Sequence, residues 1–481
     1  MLFVLIVVLT ALSAVPSFGQ RGNDESVPMD YHASFRSRLE MWNWFPGDAN
    51  NSYAFLGNHY RFSLGQKREK VDWVIDFAVP FILGAPDDAS APPPQGGLGL
   101  GANYFGANQK SRNSIMVFPK QAFVVLHSPG GKGHSVKLGR FDFAEGMEGG
   151  QKNGTLAVLK KTRIQQRVIG SFGWSHVGRS YNGFHYQYNQ PGLNVTFTGA
   201  VSGRGVFQVD GWGFTKVGFS YLSLTKSFTS GRHAGEFRGF GIYYQDWRPI
   251  GKTDNRPAAI RGADRANVRI WSFGGHYLHA ISTGAGTIDF LAWGIGQTGD
   301  WGALSHNAGA YAIEGGFQPA ILKSLKPWIR GGVFQSSGDG DPNDNKHETF
   351  FQILPTPRIY ARSPFFNLMN LNDYFGELVL RPHKKLTIRT DVHGLRLAES
   401  KDLWYAGGGA FNPWIFGYGG RPSLGGRGLA TFYDVSADIK ATAHLTLTGY
   451  YGHAQGKSII NNIYPKGNGL NFGYLEVNYK F

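Results

Sequence analysis

The stretch KVDWVIDFAV (70–79) alternates apolar and polar side chains over most of its length. Successive side chains of an extended strand point to opposite faces, so Trp73 and Phe77 would share one face while Asp72 and Asp76 share the other. The apolar run continues to residue 83, but Asp76 and Pro80 interrupt it, and it is shorter than the ~18 residues that a membrane-spanning helix needs. The stretch therefore predicts a β-strand with one apolar and one polar face.

The same period of two recurs along the chain. It divides the sequence into about eighteen segments of roughly ten residues, the length that a tilted transmembrane strand needs. Clear examples are FRSRLEM (35–41), HYRFSL (59–64), GLNVTFTGAV (192–201), KLTIRTDVHGL (385–395), DVSADIKA (434–441) and HLTLTGYY (444–451). Water-soluble β-sandwiches also alternate, so the connections between segments have to separate the two architectures.

The connections differ systematically in length. Those after even-numbered segments include the short ones, at 66–69, 189–192, 282–286, 381–385 and 441–444. Those after odd-numbered segments include the long tracts 84–113, 144–178, 248–267, 338–372, 397–426 and 453–471. Short turns on one rim and long loops on the other are typical of outer-membrane barrels, whose short turns face the periplasm. The sequence therefore predicts an all-β, antiparallel, up-and-down transmembrane barrel.

The two ends of the chain support export to an outer membrane. Residues 1–19 form an apolar run followed by Pro16 and small residues, which predicts a secretory signal peptide cleaved after Gly19. Residues 20–481 are then expected to form a single barrel domain with long extracellular loops, whose first strand begins near Tyr31. The predicted location is the outer membrane of a Gram-negative-type bacterium, with contacts to membrane lipid and lipopolysaccharide.

The last stretch, LEVNYKF (475–481), predicts the strand that closes the barrel. We expect it to pair with the first strand, FRSRLEM (35–41). Its apolar residues would face lipid, with Tyr479 near an aromatic girdle, while Glu476, Asn478 and Lys480 would face the lumen. The terminal Phe481 resembles the signal that the barrel-assembly machinery reads.

Composition limits the chemistry available to the chain. It has no cysteine, which excludes disulfides and zinc–thiolate sites, and the sequence predicts neither a cofactor nor a metal site. Its formal net charge is +15, and none of the 48 Lys and Arg residues lies within residues 1–19. In an exported chain this basic excess favours an anionic polysaccharide or small anions as partners rather than nucleic acid.

Several stretches resemble a known family. They are VKLGRFDF (136–143), RVIGSFGWSHVGRSYNGFHYQY (167–188), LRPHKKLTIRTDVHGLRLAESKDLWYAGGG (380–409) and FYDVSADIKATAHLTLTGYYGHAQG (432–456), followed by YLEVNYKF. Together, in this order, they resemble the alginate-export family of outer-membrane barrels. The resemblance implies an eighteen-stranded, monomeric barrel with a basic constriction through which a linear polyuronate leaves the periplasm. The loop 84–113 is long and poor in charge, and its conformation stays open at this point.

Inward arginines suit a uronate, because the guanidinium fork matches a carboxylate and stays charged. The candidate pore-lining residues are Arg36, Arg38, Arg61, Arg140, Arg167, Arg179, Arg269 and Arg389. The expected lumen counter-charges are Glu40, Asp72, Asp76, Asp391, Asp434 and Asp438. Barrel interiors carry both signs of charge, so each arginine could equally be a structural residue paired across neighbouring strands.

Four functions compete at this point. The first is a passive export channel for an alginate-like anionic polysaccharide, and the second is a substrate-specific porin that takes up small anionic solutes. A purely adhesive or structural barrel would have few inward arginines and a lumen filled by large side chains. An enzyme is not predicted, since the chain contains no G-x-S-x-G motif. The solute, the direction of transport and the periplasmic partners do not follow from the residues.

Overall fold

The computed structural model describes residues 28–356 and 358–481. Within them, eighteen antiparallel strands form a closed barrel, as the sequence predicts. The proposed signal segment, residues 1–19, lies outside the described residues. None of the helices in the described part of the chain is long and apolar enough to cross a membrane.

Each strand pairs with the next along the chain, and the last pairs with the first. The first nine strands are β1 Asp30–Asn43, β2 Ser52–Gln66, β3 Val71–Leu83, β4 Phe118–His127, β5 His134–Phe141, β6 Tyr181–Gln190, β7 Leu193–Gly203, β8 Phe214–Ser230 and β9 His233–Asp246. The other nine are β10 Val268–Thr283, β11 Gly286–Trp301, β12 Leu304–Pro319, β13 Trp328–Ser336, β14 Leu371–His383, β15 Leu386–Leu397, β16 Gly428–Lys440, β17 Leu445–Gly456 and β18 Gly469–Lys480. Closure leaves the barrel wall without a free edge.

Strand β18 pairs with β1, as the sequence predicts. Arg36 pairs with Asn478 across the seam, and Leu39 pairs with Leu475. The side chain of Leu475 is 60% exposed, as expected of a lipid-facing residue once the barrel is placed in a membrane. The centre of the Phe481 ring lies 5.7 Å from that of Phe35, so the two aromatic rings are in contact at the short-turn end of the seam.

The two rims differ as the sequence predicts. Turns after even-numbered strands are short: 67–70, 128–133, 191–192, 231–232, 284–285, 320–327, 384–385 and 441–444. Most connections after odd-numbered strands are longer: 84–117, 142–180, 204–213, 247–267, 337–370, 398–427 and 457–468, whereas 44–51 and 302–303 are short. The chain ends that are described, at β1 and β18, lie on the short-turn side, which faces the periplasm in outer-membrane barrels.

The long loops contain four short helices and a hairpin. The helices are α1 Leu100–Ala107, α2 Gly154–Leu159, which continues into a π turn at Lys160–Ile164, α3 Ala258–Ala263 and α4 Ser458–Ile463. Strand segments Leu403–Gly407 and Tyr418–Pro422 pair as a hairpin within the loop 398–427. Two-residue strands at Ser114–Ile115 and Lys346–His347 attach their loops to the wall.

The long loops share a buried apolar core. Phe207 packs edge to face against Tyr104, Phe172 and Phe411, which come from three other loops, with ring centroids 5.5 to 5.8 Å apart. All four side chains are at least nine-tenths buried. The loop that contains residues 84–113 therefore packs against the other loops, with α1 as its helical part.

Candidate functional site

Strand β1 binds the loop 142–180 through three successive inward side chains. Alternation places Arg36, Arg38 and Glu40 on the same face. Arg36 donates to the carbonyls of Gly173, at 2.6 Å, and Ser175. Glu40 Oε1 lies 3.0 Å from Nε2 of the next residue, His176. The side chains of β1 thus fix the position of loop residues 173–176 against the barrel wall.

Trp174 of this loop lies between two guanidinium groups. The Arg38 Cζ lies 4.6 Å from the Trp174 ring centre, and Arg358 Cζ from the loop 337–370 lies 3.8 Å from it. A cation over an indole face is attracted by the ring quadrupole. The indole therefore joins the barrel wall to two loops that are far apart in sequence.

A glycine in β2 makes room for the same loop. A Cβ atom at Gly57 would clash with the ring of His176, so only glycine allows this close approach. Burial lowers the pKa of His176 to about 4, which keeps the imidazole neutral beside Glu40. The loop is thus docked by packing and hydrogen bonding rather than by a charged histidine.

Arg179 fastens three loops at one point. Its guanidinium donates to the carbonyls of Gly170, at 3.1 Å, and Leu354, at 3.0 Å, and to those of Gly408 and Ala410, at 2.6 and 3.1 Å. The side chain is fully buried. The fork of arginine donors serves here as a cross-link between the loops 142–180, 337–370 and 398–427.

Strands β11 to β15 carry a ladder of buried ion pairs with the same loop 142–180. Its members are Arg163, Arg167, Asp289, Glu314, Arg330, Glu377, Arg389 and Asp391, and we call this set the ion-pair ladder. Glu314 is its centre, with Oε2 at 2.9 Å from Arg330 NH2 and 3.5 Å from Arg163 Nε. Four arginines thus face four carboxyl groups within the ladder.

A pocket of about 170 Å³ lies at the short-turn end of the lumen, where β18, β1, β2 and β4 meet the loop 142–180. We call this pocket the vestibule. Its basic lining residues are Arg36, His59, Arg61, Lys120 and Lys480, and Asp142 is the one acidic side chain among them. The Arg61 side chain remains 26% exposed, although it pairs with Asp76 and Asp142. The vestibule therefore presents cationic donors to solvent.

A β-bulge aims Lys120 into the vestibule. The register of β3 and β4 shifts there: Asp76 pairs with Gln121 but Phe77 with Pro119, so Lys120 has no partner position. Bulges re-aim side chains in this way. The Lys120 Nζ donates to the carbonyl of Arg179 at 2.6 Å and lies 3.2 Å from Asp142.

The predicted pore arginines fall into three groups. Arg36, Arg61 and Arg389 face the lumen and keep 13%, 26% and 18% of their side chains exposed. Arg38, Arg167 and Arg179 also lie inside the barrel, but they are buried against loops, so they hold the loops rather than line an open passage. All three residues of the first group face the lumen, but only Arg36 and Arg61 line the vestibule described above.

The other two arginines correct the expectation, because they face outward. Arg269 shares the outward face of β10 with Trp271 and Phe273, which are 49% and 59% exposed. Arg140 shares the outward face of β5 with Leu138, and its guanidinium bonds to the Gly211 carbonyl at 2.8 Å. In both strands, exposed apolar residues of the same parity as the arginine indicate that this face is outward.

The six expected counter-charges all lie on the inward face. Asp76 pairs with Arg61, Asp391 with Arg389, and Asp438 with Arg362. Of the others, Glu40 contacts Arg38 and His176, Asp72 contacts His127, and Asp434 accepts from the Tyr450 hydroxyl.

The residues that the sequence analysis missed include His59, Lys120, Lys480 and Glu314. His59 and Glu314 follow the strand alternation, so their inward facing could have been read from HYRFSL and from the residues around Glu314. Lys120 could not, because the bulge that turns it inward leaves no periodic signal. Lys480 is predicted to face the lumen, but it is not one of the candidate pore-lining residues.

The basic excess does not lie in the barrel wall. The eighteen strands carry sixteen Lys and Arg residues against fifteen Asp and Glu residues. The short turns carry nine basic residues against one acidic residue, Glu69, which accounts for eight of the fifteen net positive charges. The nine are Lys67, Arg68, Lys70, Lys132, Arg232, Lys323, Lys326, Lys384 and Lys385. The wall is near neutral, so the vestibule is a local concentration of positive charge and not part of a uniformly basic lumen.

Comparisons with known proteins agree with this architecture. The family model for alginate export matches residues 120–459. The outer membrane protein OpdK from Pseudomonas aeruginosa is similar in structure, at 10% identity and a TM-score of 0.54, over 94% of this chain and 99% of OpdK. OccAB4 from Acinetobacter baumannii is similar at 10% identity and a TM-score of 0.56, over 96% of this chain and 100% of OccAB4.

A further similar structure is OccK2 (OpdF) from Pseudomonas aeruginosa, solved in complex with glucuronate. It is 8% identical, with a TM-score of 0.55, over 94% of this chain and 98% of OccK2. No curated protein matches the chain in sequence. At these identities the structural likeness shows the fold alone, an outer-membrane porin barrel, whereas the family model spans well over half of the sequence. The chain belongs to the alginate export family.

Proposed function

We propose that the chain is an outer-membrane channel that passes an anionic, alginate-like polyuronate from the periplasm to the exterior. The observation that carries the proposal is the vestibule, where Arg36, Arg61, Lys120 and Lys480 surround a space at the periplasmic end of the barrel. A uronate carboxylate would meet guanidinium and ammonium donors there. Membership of the alginate export family gives the polymer as the first substrate to test.

The arrangement suits transport better than tight binding. Arg61 already has Asp76 and Asp142 as partners, so a passing carboxylate would exchange with protein carboxylates at little net cost. Conduction requires each contact to be weak enough to release the solute. The loops that cross the lumen above the vestibule would have to be displaced for a polymer to pass, and their attachments at Arg179 and β1 mark where this resistance lies.

Uptake of small anionic solutes is the second candidate. A volume of about 170 Å³ accommodates one small organic anion rather than a polymer segment. The similar porin OccK2 (OpdF) was solved in complex with glucuronate, which has the same carboxylate chemistry as one unit of a polyuronate.

Single-channel conductance in planar bilayers tests both candidates. With oligouronates added on the short-turn side, we expect reversible block whose affinity rises with oligomer length. Block by monomeric glucuronate that does not strengthen with length would replace the polymer by the small anion. A protein without conductance under any condition would overturn both and favour the structural barrel, whose lumen is filled by large side chains.

Charge reversal locates the passage. Arg61→Glu should turn the ion selectivity from anions toward cations and weaken block by oligouronates about tenfold or more, because it places a carboxylate at the vestibule. The matched control is Arg232→Glu, which makes the same charge change in the exposed turn 231–232. Equal effects of the two substitutions would show that the rim, and not the vestibule, selects the ion.

A further inference from the structure

Two neighbouring short turns form a patch that is both basic and apolar. The turn 320–327 joins β12 to β13, and the turn 384–385 joins β14 to β15. The amide of Arg381, at the end of β14, donates to the Leu325 carbonyl at 2.7 Å, so the two turns are held side by side. Lys323, Lys326, Lys384 and Lys385 are all exposed there. Neither turn contains an acidic residue, and no ion pair joins these lysines to any described residue.

Large apolar side chains accompany these lysines. Ile321 is 69% exposed and Leu322 is 57% exposed, although both lie in a turn beyond the strands. They continue the outward apolar face of the wall, where Phe317 of β12 and Ile329 of β13 are 37% and 56% exposed. Side chains of this size are stable at a membrane surface, whereas their exposure to water is unfavourable. The patch therefore lies where acyl chains end and headgroups begin.

We propose that this patch, Ile321, Leu322, Lys323, Lys326, Lys384 and Lys385, binds an anionic phospholipid of the periplasmic leaflet. The apolar side chains contact the acyl chains, and the ammonium groups reach the phosphate of the headgroup, as long lysine side chains do at membrane interfaces. Continuity with the lipid-facing wall favours a lipid over a soluble polyanion. The proposal does not depend on which solute the channel passes.

Lipid retention tests the proposal. The purified protein in neutral detergent is mixed with equal amounts of phosphatidylglycerol and phosphatidylcholine, and the bound lipid is counted by native mass spectrometry. We expect about tenfold preference for phosphatidylglycerol, since each lysine near an anionic lipid adds attraction. Replacing the four lysines by glutamine should remove the preference. Equal retention of the two lipids by the wild type, or an unchanged preference in the variant, would overturn the proposal.

Three further measurements separate this reading from its alternatives. The control variant Lys110→Gln/Arg112→Gln/Lys457→Gln/Lys466→Gln removes four exposed charges from the long-loop side and should keep the preference. Ile321→Ser/Leu322→Ser should lower retention of both lipids. Block by oligouronates should be the same in the lysine variant and the wild type. A variant that keeps its lipids but loses oligouronate block would overturn the proposal in favour of polymer capture.

Discussion

Along strands β11 to β15, guanidinium groups pair with buried carboxylates, whereas at the seam of β18 and β1 Arg36 bonds to loop carbonyls, lies 4.0 Å from Glu476 and borders the open vestibule. The ion-pair ladder buries its arginines at 2% exposure or less, except for Arg389. The vestibule leaves Arg61 accessible and adds Lys120 and Lys480. The same residue type thus has two uses in one lumen: the ladder arginines bind carboxylates and, apart from Arg389, are closed to solvent, whereas Arg61 in the vestibule remains accessible.

The comparison shows why an inward arginine is not in itself a transport residue. A buried guanidinium that already binds two carboxylates has no free donor for a passing anion, and removing it would leave those carboxylates unpaired. A partly exposed guanidinium can exchange partners at low cost. The predictions below test this division through the free energy of unfolding, from the largest expected change to the smallest.

The largest loss of stability should follow Glu314→Met. This substitution leaves Arg163, Arg167 and Arg330 without their shared carboxylate inside the barrel. Breaking a buried ion pair from one side costs about 3–5 kcal/mol, because the remaining charges stay buried. Urea unfolding of the barrel in lipid vesicles measures the change.

The control for this substitution is Glu399→Met, which removes a carboxylate from an exposed pair with Arg427. Its cost should be about 0–1 kcal/mol. Equal costs for the two substitutions would show that the ladder does not stabilise the loops packed inside the lumen. This result would contradict the distinction between ladder arginines and vestibule arginines.

Arg179→Lys should have the next largest effect. A single ammonium cannot reach four carbonyls in three loops, so several buried acceptors lose their donor, at a cost of about 2–3 kcal/mol. Limited proteolysis should then cut the long loops faster, and the open conductance should rise. Arg204→Lys, in another loop, is the control, since Arg204 pairs only with Asp210 among the described acidic residues. Intact loops in Arg179→Lys would rule out the cross-link.

The sequence predicted the wall better than its contents for a physical reason. Strand alternation is local, so the strands β1, β2, β3 and β15 to β18, and the seam, could be derived from a period of two. The contacts of Arg179 with the other two loops join residues 175 to 231 positions apart, and no local pattern records them. The family resemblance gave the eighteen strands but not the loop packing.

The errors at Arg140 and Arg269 have a different origin, which is local. Both residues lie near the ends of strands, where few alternating neighbours remain to decide the facing. Trp271 and Phe273 have the same parity as Arg269, and such aromatic residues indicate a lipid-facing side. The net charge misled in a different way: it is a sum over the chain, and it cannot tell turns from the lumen.

A pair of carboxylates outside the ladder should show a smaller, pH-dependent effect. Burial raises the pKa of Asp339 to about 7 and that of Asp402 to about 6, and among the described residues no cation pairs with either. Because these folded-state values lie above the unfolded value near 4, the folded loops bind more protons between about pH 4 and pH 7, and their stability falls as pH rises through this window.

Amide hydrogen exchange measures this effect in residues 337–349 and 398–405. The free energy of local opening should be at least about 1 kcal/mol lower at pH 8 than at pH 5. Asp339→Asn should remove part of the difference, since an amide does not titrate. Strands β7 and β8, which contain no Asp, Glu or His, serve as the internal control. Equal pH dependence in these two strands and in the loops would contradict the assignment.

The smallest change in stability should follow Arg61→Gln. Gln121 Nε2, at 3.2 Å, still donates to Asp76 after the substitution, and Lys120 still faces Asp142 at 3.2 Å, so both carboxylates keep a partner. The expected cost is about 0–1 kcal/mol, as for other partly exposed pairs. Anion selectivity should nevertheless fall, because the vestibule loses its most exposed guanidinium. A large loss of stability with unchanged ion selectivity would show that Arg61 is a structural residue like the ladder arginines. The vestibule would then lack its principal donor.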